Sequence, residues 1–317
     1  MGNISSKIKR SSKEDPFFEQ GDGYIDRSQA QHHLMRALFK TNFSAPILEI
    51  LHSGDAKVLD VCCGPGTWVC DNSSDFPHAR FSGVDINPYF PTQKPYNVQF
   101  VTSDVLKGLP YNEKFDFVHL RFFGMWFTEK QFKDIILPEM LRVLRPGGWI
   151  EICETDYDLY NTGPLAEKLA ENFQRQMASR QLNPIMNMGL ACMLQDTCEL
   201  KNIEQVDRIL PMYTRDSKMG KFASEVLFRM VVKVSVDGHC IRERDADKTL
   251  RDVMAEANRY ATYGRVRRFF GSAILGKKTS IINIARARLS FVNNSEEFVG
   301  EYKTIQQKLR IIGFILL

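Results

Sequence analysis

No apolar run in the 317 residues reaches the roughly 20 that a membrane-spanning helix needs. The greasiest stretch, Ile311 to Leu317, is far too short. Cysteine is scarce, with seven residues in the chain, too few for a disulfide scaffold. Cys62, Cys63 and Cys70 form no C-x-x-C pair of the zinc type, so no metal is expected. Neither sign of charge dominates, and a net charge of +4 does not by itself call for nucleic acid. There is no internal repeat, and no low-complexity tract beyond the first 15 residues. The opening M-G-N-I-S-S-K-I-K-R is basic without an apolar core, so it does not read as a secretory signal. These absences predict an intracellular chain with reduced thiols. What is present, 44% hydrophobic and 25% charged residues, suits a globular protein with a sizeable core and excludes disordered, collagen-like and coiled-coil chains.

Residues 1–20 are polar and read as a flexible basic arm. Between Arg27 and Leu51 the apolar spacing predicts two short helices split near Pro46. Lys57–Val61 is an apolar run ending in a glycine turn, which reads as a buried strand. A helix over Thr67–Ser74 follows, with further strands at Ala79–Ile86, Val98–Thr102, Phe115–Arg121 and Trp149–Cys153. Glu129–Leu144 carries helical spacing with a kink at Pro138, and Pro146-Gly147-Gly148 then breaks the chain. This alternation predicts an α/β fold, a doubly wound and mostly parallel sheet. Beyond Glu154 the pattern turns helical over 165–178, 190–200 and 220–262, with late strands at Ile203–Tyr213 and Phe269–Leu275, the last of them antiparallel. The expected division is a domain over 21–278, with a cofactor half at 57–155 and a helical substrate cap mainly at 156–200 and 213–262. A helical tail at 279–317 completes it.

The central constellation is V-L-D-V-C-C-G-P-G-T at 58–67, followed by G-V-D-I at 83–86 and S-D-V at 103–105. Asp85 lies 19 residues after Gly66, and Asp104 another 19 on. In a doubly wound sheet these points fall at the ligand-binding ends of the first three strands. Gly64 and Gly66 allow a sharp turn and close approach. Asp85 offers two acceptor oxygens to the hydroxyls of a ribose. Asp104 can accept from an exocyclic amine such as that of adenine, and Asp60 can hold an ammonium group. An adenosine with a cationic amino-acid tail satisfies all three. A dinucleotide fits less well, because the third glycine of G-x-G-x-x-G is Val69 and Asp60 would repel phosphate. The plainer alternative is that these acids are turn and cap residues.

These segments resemble the class I S-adenosylmethionine-dependent methyltransferases, most nearly fungal ones related to regulators of secondary metabolism. Gln31-His32-His33-Leu34, 58–71, F-P-H-A-R-F-S-G-V-D-I-N-P at 76–88, F-D-F-V-H-L-R at 115–121 and L-R-V-L-R-P-G-G-W-I-E at 141–151 carry the likeness over residues 24–155. A weaker echo extends to Gly276-Lys277-Lys278. The resemblance implies a Rossmann-like sheet of seven strands with the last antiparallel, and S-adenosyl-L-methionine as cofactor. It implies contacts from Asp60, Cys63, Gly64, Pro65, Gly66, Asp85, Ile86, Ser103, Asp104 and Val105. One departure is Cys62, where the family's D-x-G-x-G-x-G loop has its first glycine; a modest loss of affinity follows from it.

The candidates for catalysis are His119 and Arg121, at the end of the fourth strand and on one face with Phe117. Arg121 can bind the cofactor carboxylate or a substrate acid, or form a structural ion pair. His119 is either a base or a hydrogen-bonded core histidine. His32 and His33 belong to a helix that could cover the cofactor, and packing is the expected role of both. Trp68 reads as helix packing, Cys62 and Cys63 as small loop and core residues, and Arg265-Val266-Arg267-Arg268 as a solvated edge. Met1-Gly2-Asn3-Ile4-Ser5-Ser6 matches the N-myristoylation pattern. With Lys7, Lys9, Arg10 and Lys13 as a second signal, it predicts peripheral attachment to a cytoplasmic membrane face, against a plain solvated tail. The expected function is methyl transfer to a small-molecule or protein acceptor. The alternatives are a cofactor-binding regulatory subunit and, less favoured by the glycine pattern, a nicotinamide-dependent oxidoreductase.

Overall fold

The computed structural model describes residues 22–213 and 218–275. The expected basic arm, Gly2, the Gly276-Lys277-Lys278 echo and the tail at 279–317 lie outside the described residues. Strands β1 (Lys57–Val61), β2 (Arg80–Asp85), β3 (Val98–Thr102), β4 (Phe115–Arg121), β5 (Leu144–Thr155), β6 (Leu200–Pro211) and β7 (Tyr263–Ala273) form one sheet in the order β3-β2-β1-β4-β5-β7-β6. The first five pair in parallel, and β7 runs antiparallel to both β5 and β6. The chain winds outward from β1 to β3 and then crosses back to β4. The strand order therefore reverses between β1 and β4, which opens a crevice at their carboxyl ends.

Strand alternation divides the core. Leu59, Val61, Val118, Leu120, Ile150 and Ile152 point to one face. There they meet Ile136 of a wide turn, Met140 and Val143 of α5 (Leu137–Val143), and Leu190 and Leu194 of α7 (Leu190–Asp196). Val58, Phe117 and Phe270 point to the other face, against Leu51 of α2 (Leu48–His52) and Trp68 and Val69 of α3 (Thr67–Asp75). Phe117 is fully buried here, and its truncation to alanine would cost about 3–5 kcal/mol. A second apolar cluster joins α1 (Asp22–Phe39), α6 (Pro164–Ser179), α8 (Lys218–Asp237) and α9 (Ala246–Tyr260) through Met35, Phe39, Phe173, Met177, Val231 and Val253. Of the helices expected in a substrate cap, α7 instead packs on the sheet.

Several boundaries differ from the sequence expectation. The first helix ends at Phe39, not near Pro46. The expected kinked helix over 129–144 is three pieces: α4 (Glu129–Gln131), a π-helical turn (Phe132–Ile136) and α5. Thr128 and Gln131 form a capping box at its start. Pro138 has no N–H to offer the carbonyl four residues back, and a widened turn is one way the chain accommodates that. Pro146-Gly147-Gly148 does not separate helix from strand as expected: β5 begins at Leu144 and includes it, and its register against β4 shifts between Phe115 and Phe117, with Gly147 at φ +78°. The last strand starts at Tyr263, so it contains the basic run.

That run is not a solvated edge. β7 lies between two strands, and Arg267 and Arg268 are each only 3% exposed. Arg267 grips Asp156 with Nε at 2.9 Å and Nη2 at 3.1 Å, and a third contact reaches Asp207 at 3.3 Å. Tyr160 donates to the same Asp156 at 2.6 Å. Arg268 donates to Thr41, lies over the Phe39 ring and stands 3.5 Å from Glu151. Both buried guanidiniums thus lie beside carboxylates inside the molecule, as burial requires.

Candidate functional site

The glycine turn leaves β1 at Val61 with three consecutive demands on the backbone. Cys62, Gly64 and Gly66 all have positive φ, at +56°, +56° and +76°. This explains the glycines and marks Cys62 as a side chain held in a left-handed conformation. The turn is anchored to β2: Cys63 N–H donates to Val84 O at 3.0 Å and Gly64 N–H to Asp85 Oδ2 at 2.9 Å. Asn87 N–H donates to the other oxygen, Oδ1, at 2.9 Å. Burial pushes the Asp85 carboxyl upward, and the Asn87 and Gly64 amides pull against it.

The two glycines serve different ends. A Cβ on Gly66 would stand 2.3 Å from the Phe100 ring, so packing on β3 excludes a side chain at this position. A Cβ on Gly64 would stand 2.8 Å from the Tyr24 hydroxyl, and Tyr24 thus covers the turn from the first turns of α1. Burial and the nearby Asp85 charge push this phenol up to about 12. Sequence reasoning missed Tyr24, whose closeness to Gly64 spans 40 residues and carries no local signal.

The remaining predicted cofactor contacts divide between surface and core. Ile86 is 45% exposed, an apolar side chain presented beside the Asp85 carboxylate. Ser103 N–H donates to Asp85 O at 2.9 Å, which ties the tips of β2 and β3 together. Asp104 spends Oδ1 on the Leu106 N–H at 3.0 Å, and its Oδ2 lies 3.9 Å from Lys107. It is thus a cap residue as well as a partly open acceptor. The side chains of Cys63 and Val105 are buried in the core, so only their backbones can face a ligand. Pro65 is buried in the turn.

Asp60, the residue expected to hold an ammonium group, has one carboxylate oxygen engaged inside the sheet. Its Oδ1 lies 2.7 Å from Nδ1 of His119, its register partner on β4. His119 is 1% exposed and stacks on Trp68, with ring centroids 4.0 Å apart and planes 5° from parallel. This is the arrangement of a hydrogen-bonded core histidine, and it fixes Trp68 as packing. Trp68 in turn donates to Asn42 O at 3.0 Å.

Arg121 shares that face of β4. Its Nη1 lies 3.2 Å from His32 Nδ1, and among the described residues it forms no ion pair with a carboxylate. Burial is the main force lowering its affinity for a proton, and Asp60 and Tyr24 are among the groups whose field reaches it. His32 is buried, and its Nε2 meets Asp71 Oδ2 at 2.9 Å. Its helix neighbour His33 is exposed, with its ring edge-on to His32 at 5.3 Å between centroids. On the opposite sheet face, Glu154 at the end of β5 is 1% exposed. It accepts from Gly124 N–H, Thr155 N–H and the Tyr157 hydroxyl at 2.8–3.0 Å. Burial drives its carboxyl up to about 7. No local pattern around Glu154 marks this role.

Each Asp85 oxygen takes one backbone N–H and keeps a lone pair, enough for the two hydroxyls of a ribose, and Ile86 offers an apolar shelf beside it. The residues therefore fit S-adenosylmethionine. The profile of the methyltransferase domain family matches residues 58–148. The N-methyltransferase verN of Clonostachys rogersoniana is 30% identical over 207 residues, covering 62% of this chain and 69% of that protein. The secondary metabolism regulator laeA of Coprinopsis cinerea is 30% identical over 152 residues, or 46% of this chain, and the match spans only 37% of its own length. A Haemonchus contortus phosphoethanolamine N-methyltransferase is 16% identical, at a TM-score of 0.45 over 78% of this chain and 58% of that one. A likeness that distant carries no argument, and the fold rests on the sheet order itself. The chain belongs to the class I S-adenosylmethionine-dependent methyltransferase family.

Proposed function

We propose that this methyltransferase acts on a nitrogen atom of a small molecule. The observation that carries the reading is the match to an N-methyltransferase over 207 residues, well beyond the 58–148 segment of the family profile. When bound, S-adenosylmethionine supplies an electrophilic methyl group on a sulfonium, and in-line attack by a nitrogen lone pair forms the N–C bond as the S–C pair returns to sulfur. Positioning then supplies much of the rate. Asp85 would hold the ribose hydroxyls, Ile86 and Asp104 the adenine, and the backbone at Cys63–Gly66 the amino-acid end. Ser103 and Val105 would contribute backbone only. A neutral amine needs no base before attack, so His119 is free to serve as a strut for the β1 and β4 tips. The acceptor would enter beneath α6, α8 and α9. The test is the release of S-adenosylhomocysteine with a panel of primary, secondary and aromatic amines set against phenols and carboxylic acids. Turnover confined to oxygen acceptors overturns the nitrogen assignment.

The laeA match favours a second reading, a cofactor-binding regulatory subunit with little catalysis of its own. Tight binding of S-adenosylhomocysteine, with no turnover on any acceptor, would select it. For the N-terminus we propose acylation of Gly2, with Lys7, Lys9, Arg10 and Lys13 adding about 1 kcal/mol each at an anionic surface. Equal membrane fractionation of wild type and Gly2→Ala would rule this out.

A further inference from the structure

Three residues far apart in sequence form a hydrogen-bonded line. Asp71 on α3 meets His32 Nε2 at 2.9 Å, and His32 Nδ1 meets Arg121 Nη1 at 3.2 Å. A carboxylate only accepts and a guanidinium only donates, so the chemistry fixes the histidine tautomer. Nε2 carries the proton and donates to Asp71, and the Nδ1 lone pair accepts from Arg121. Burial and the Arg121 charge hold His32 neutral, its pKa pushed down to about 4. Asn42 Nδ2 at 2.8 Å and the Arg36 guanidinium fix the far end of the line by donating to Asp71.

The consequence lies in what this line does not do. A carboxylate partner would neutralise Arg121 and occupy its fork. A neutral imidazole takes a single N–H, leaves the remaining donors and leaves the positive charge intact. The cation stands at the last residue of β4, the strand paired with β1, whose own end leads into the glycine turn that Tyr24 covers.

We propose that Asp71, His32 and Arg121 form a positioning relay that presents Arg121 as the receptor for a ligand carboxylate. His32 is a positioning residue acting through Arg121. The inference rests on the cofactor reading above and names a subsite within it. The carboxylate comes from the amino-acid end of the cofactor or from an acidic acceptor, and the test separates these sources.

The first arm measures calorimetric affinities for S-adenosylmethionine and for its decarboxylated analogue, which keeps the ammonium and lacks only the carboxylate. Wild type should prefer the carboxylate-bearing form at least tenfold. Arg121→Met should abolish that preference, His32→Leu should reduce it three- to tenfold, and Arg121→Lys should restore part of it. A fold defect would weaken both ligands together and leave the ratio unchanged, so the ratio isolates the relay. The second arm titrates benzoate into protein saturated with S-adenosylhomocysteine. An unchanged ratio, together with benzoate binding that Arg121→Met abolishes, assigns the carboxylate to the acceptor. If neither the ratio nor benzoate binding depends on Arg121, the proposal is overturned. If neither cofactor form binds wild type, the cofactor reading itself has failed.

Discussion

Asp60 Oδ1 and His119 Nδ1 lie 2.7 Å apart between register-paired positions of β1 and β4, with both residues buried and the imidazole stacked on Trp68. The pair braces the two strand tips that flank the crevice. Its partners cannot be removed singly at low cost, because the survivor is left as an unpaired buried polar group. His119→Ala is expected to lower stability by about 3–5 kcal/mol in urea unfolding. His119→Asn, which keeps a donor for Asp60, should retain kcat within about tenfold where the protein is folded. A stable but inactive His119→Asn enzyme would instead mark His119 as a proton acceptor.

Asp85 anchors the Gly64 and Asn87 amides and, in the function proposed above, also holds the ribose. Asp85→Asn keeps one acceptor oxygen, while Asp85→Ala keeps neither. Calorimetry should show S-adenosylhomocysteine affinity falling at least tenfold for the first and further for the second. Asp85→Ala should also lose about 1–3 kcal/mol of stability as the amides lose their partner.

Cys62 carries a Cβ at φ +56°, a conformation that costs a non-glycine residue on the order of 1 kcal/mol. Cys62→Gly restores the residue the family loop uses there. Relief of strain outweighs the entropy of the added glycine, and the variant should gain up to about 1 kcal/mol, or roughly 2–4 °C in Tm. A melting temperature lower than wild type would refute this account of the turn.

Glu154 sets an expected pH dependence. Its folded pKa of about 7 lies above the unfolded value, so the folded chain holds a proton that the unfolded chain has released. The sign follows: this contribution is fully present below the unfolded value near 4.5 and is lost as pH rises through about 7. It amounts to on the order of 3 kcal/mol. His32, held near 4, works in the opposite sense between about pH 4 and 6.5. The readout is therefore the difference between wild type and Glu154→Gln, followed by urea unfolding from pH 5 to 8. That difference should change most between pH 5 and 7.5; a constant offset would contradict the assignment.

Arg267 and Asp156 form another buried pair, and Asp156→Ala should cost about 3–5 kcal/mol by stranding the guanidinium between β5 and β6. A change below 1 kcal/mol in denaturant midpoint analysis would show that Asp207 and water take over.

The central parallel strands were legible because a strand covered on both faces must be largely apolar, and β1 and β4 fall on their expected residues. The Asp85 site was legible because a sharp turn needs glycine and a ribose needs acceptors, both local requirements. The burial of Arg267 and Arg268 was not, because the basic run is local while Asp156 and Thr41 lie 111 and 227 residues away. Nor was the exposure of His33 beside the burial of His32, since adjacent helix positions face about 100° apart and only packing decides which turns inward.

By itself, then, the sequence determined the alternation of strand and helix, the glycine turn with its acidic partners, and the cofactor those partners suit, all properties of short stretches with their own steric and hydrogen-bonding demands. Tertiary structure alone decided which polar groups stay available. It paired one oxygen of Asp60 with His119, filled the space at Gly66 with Phe100, placed Tyr24 over Gly64 and left Arg121 charged beside a neutral histidine. Those outcomes depend on distances between groups tens to hundreds of residues apart, and such distances exist only after the chain has packed.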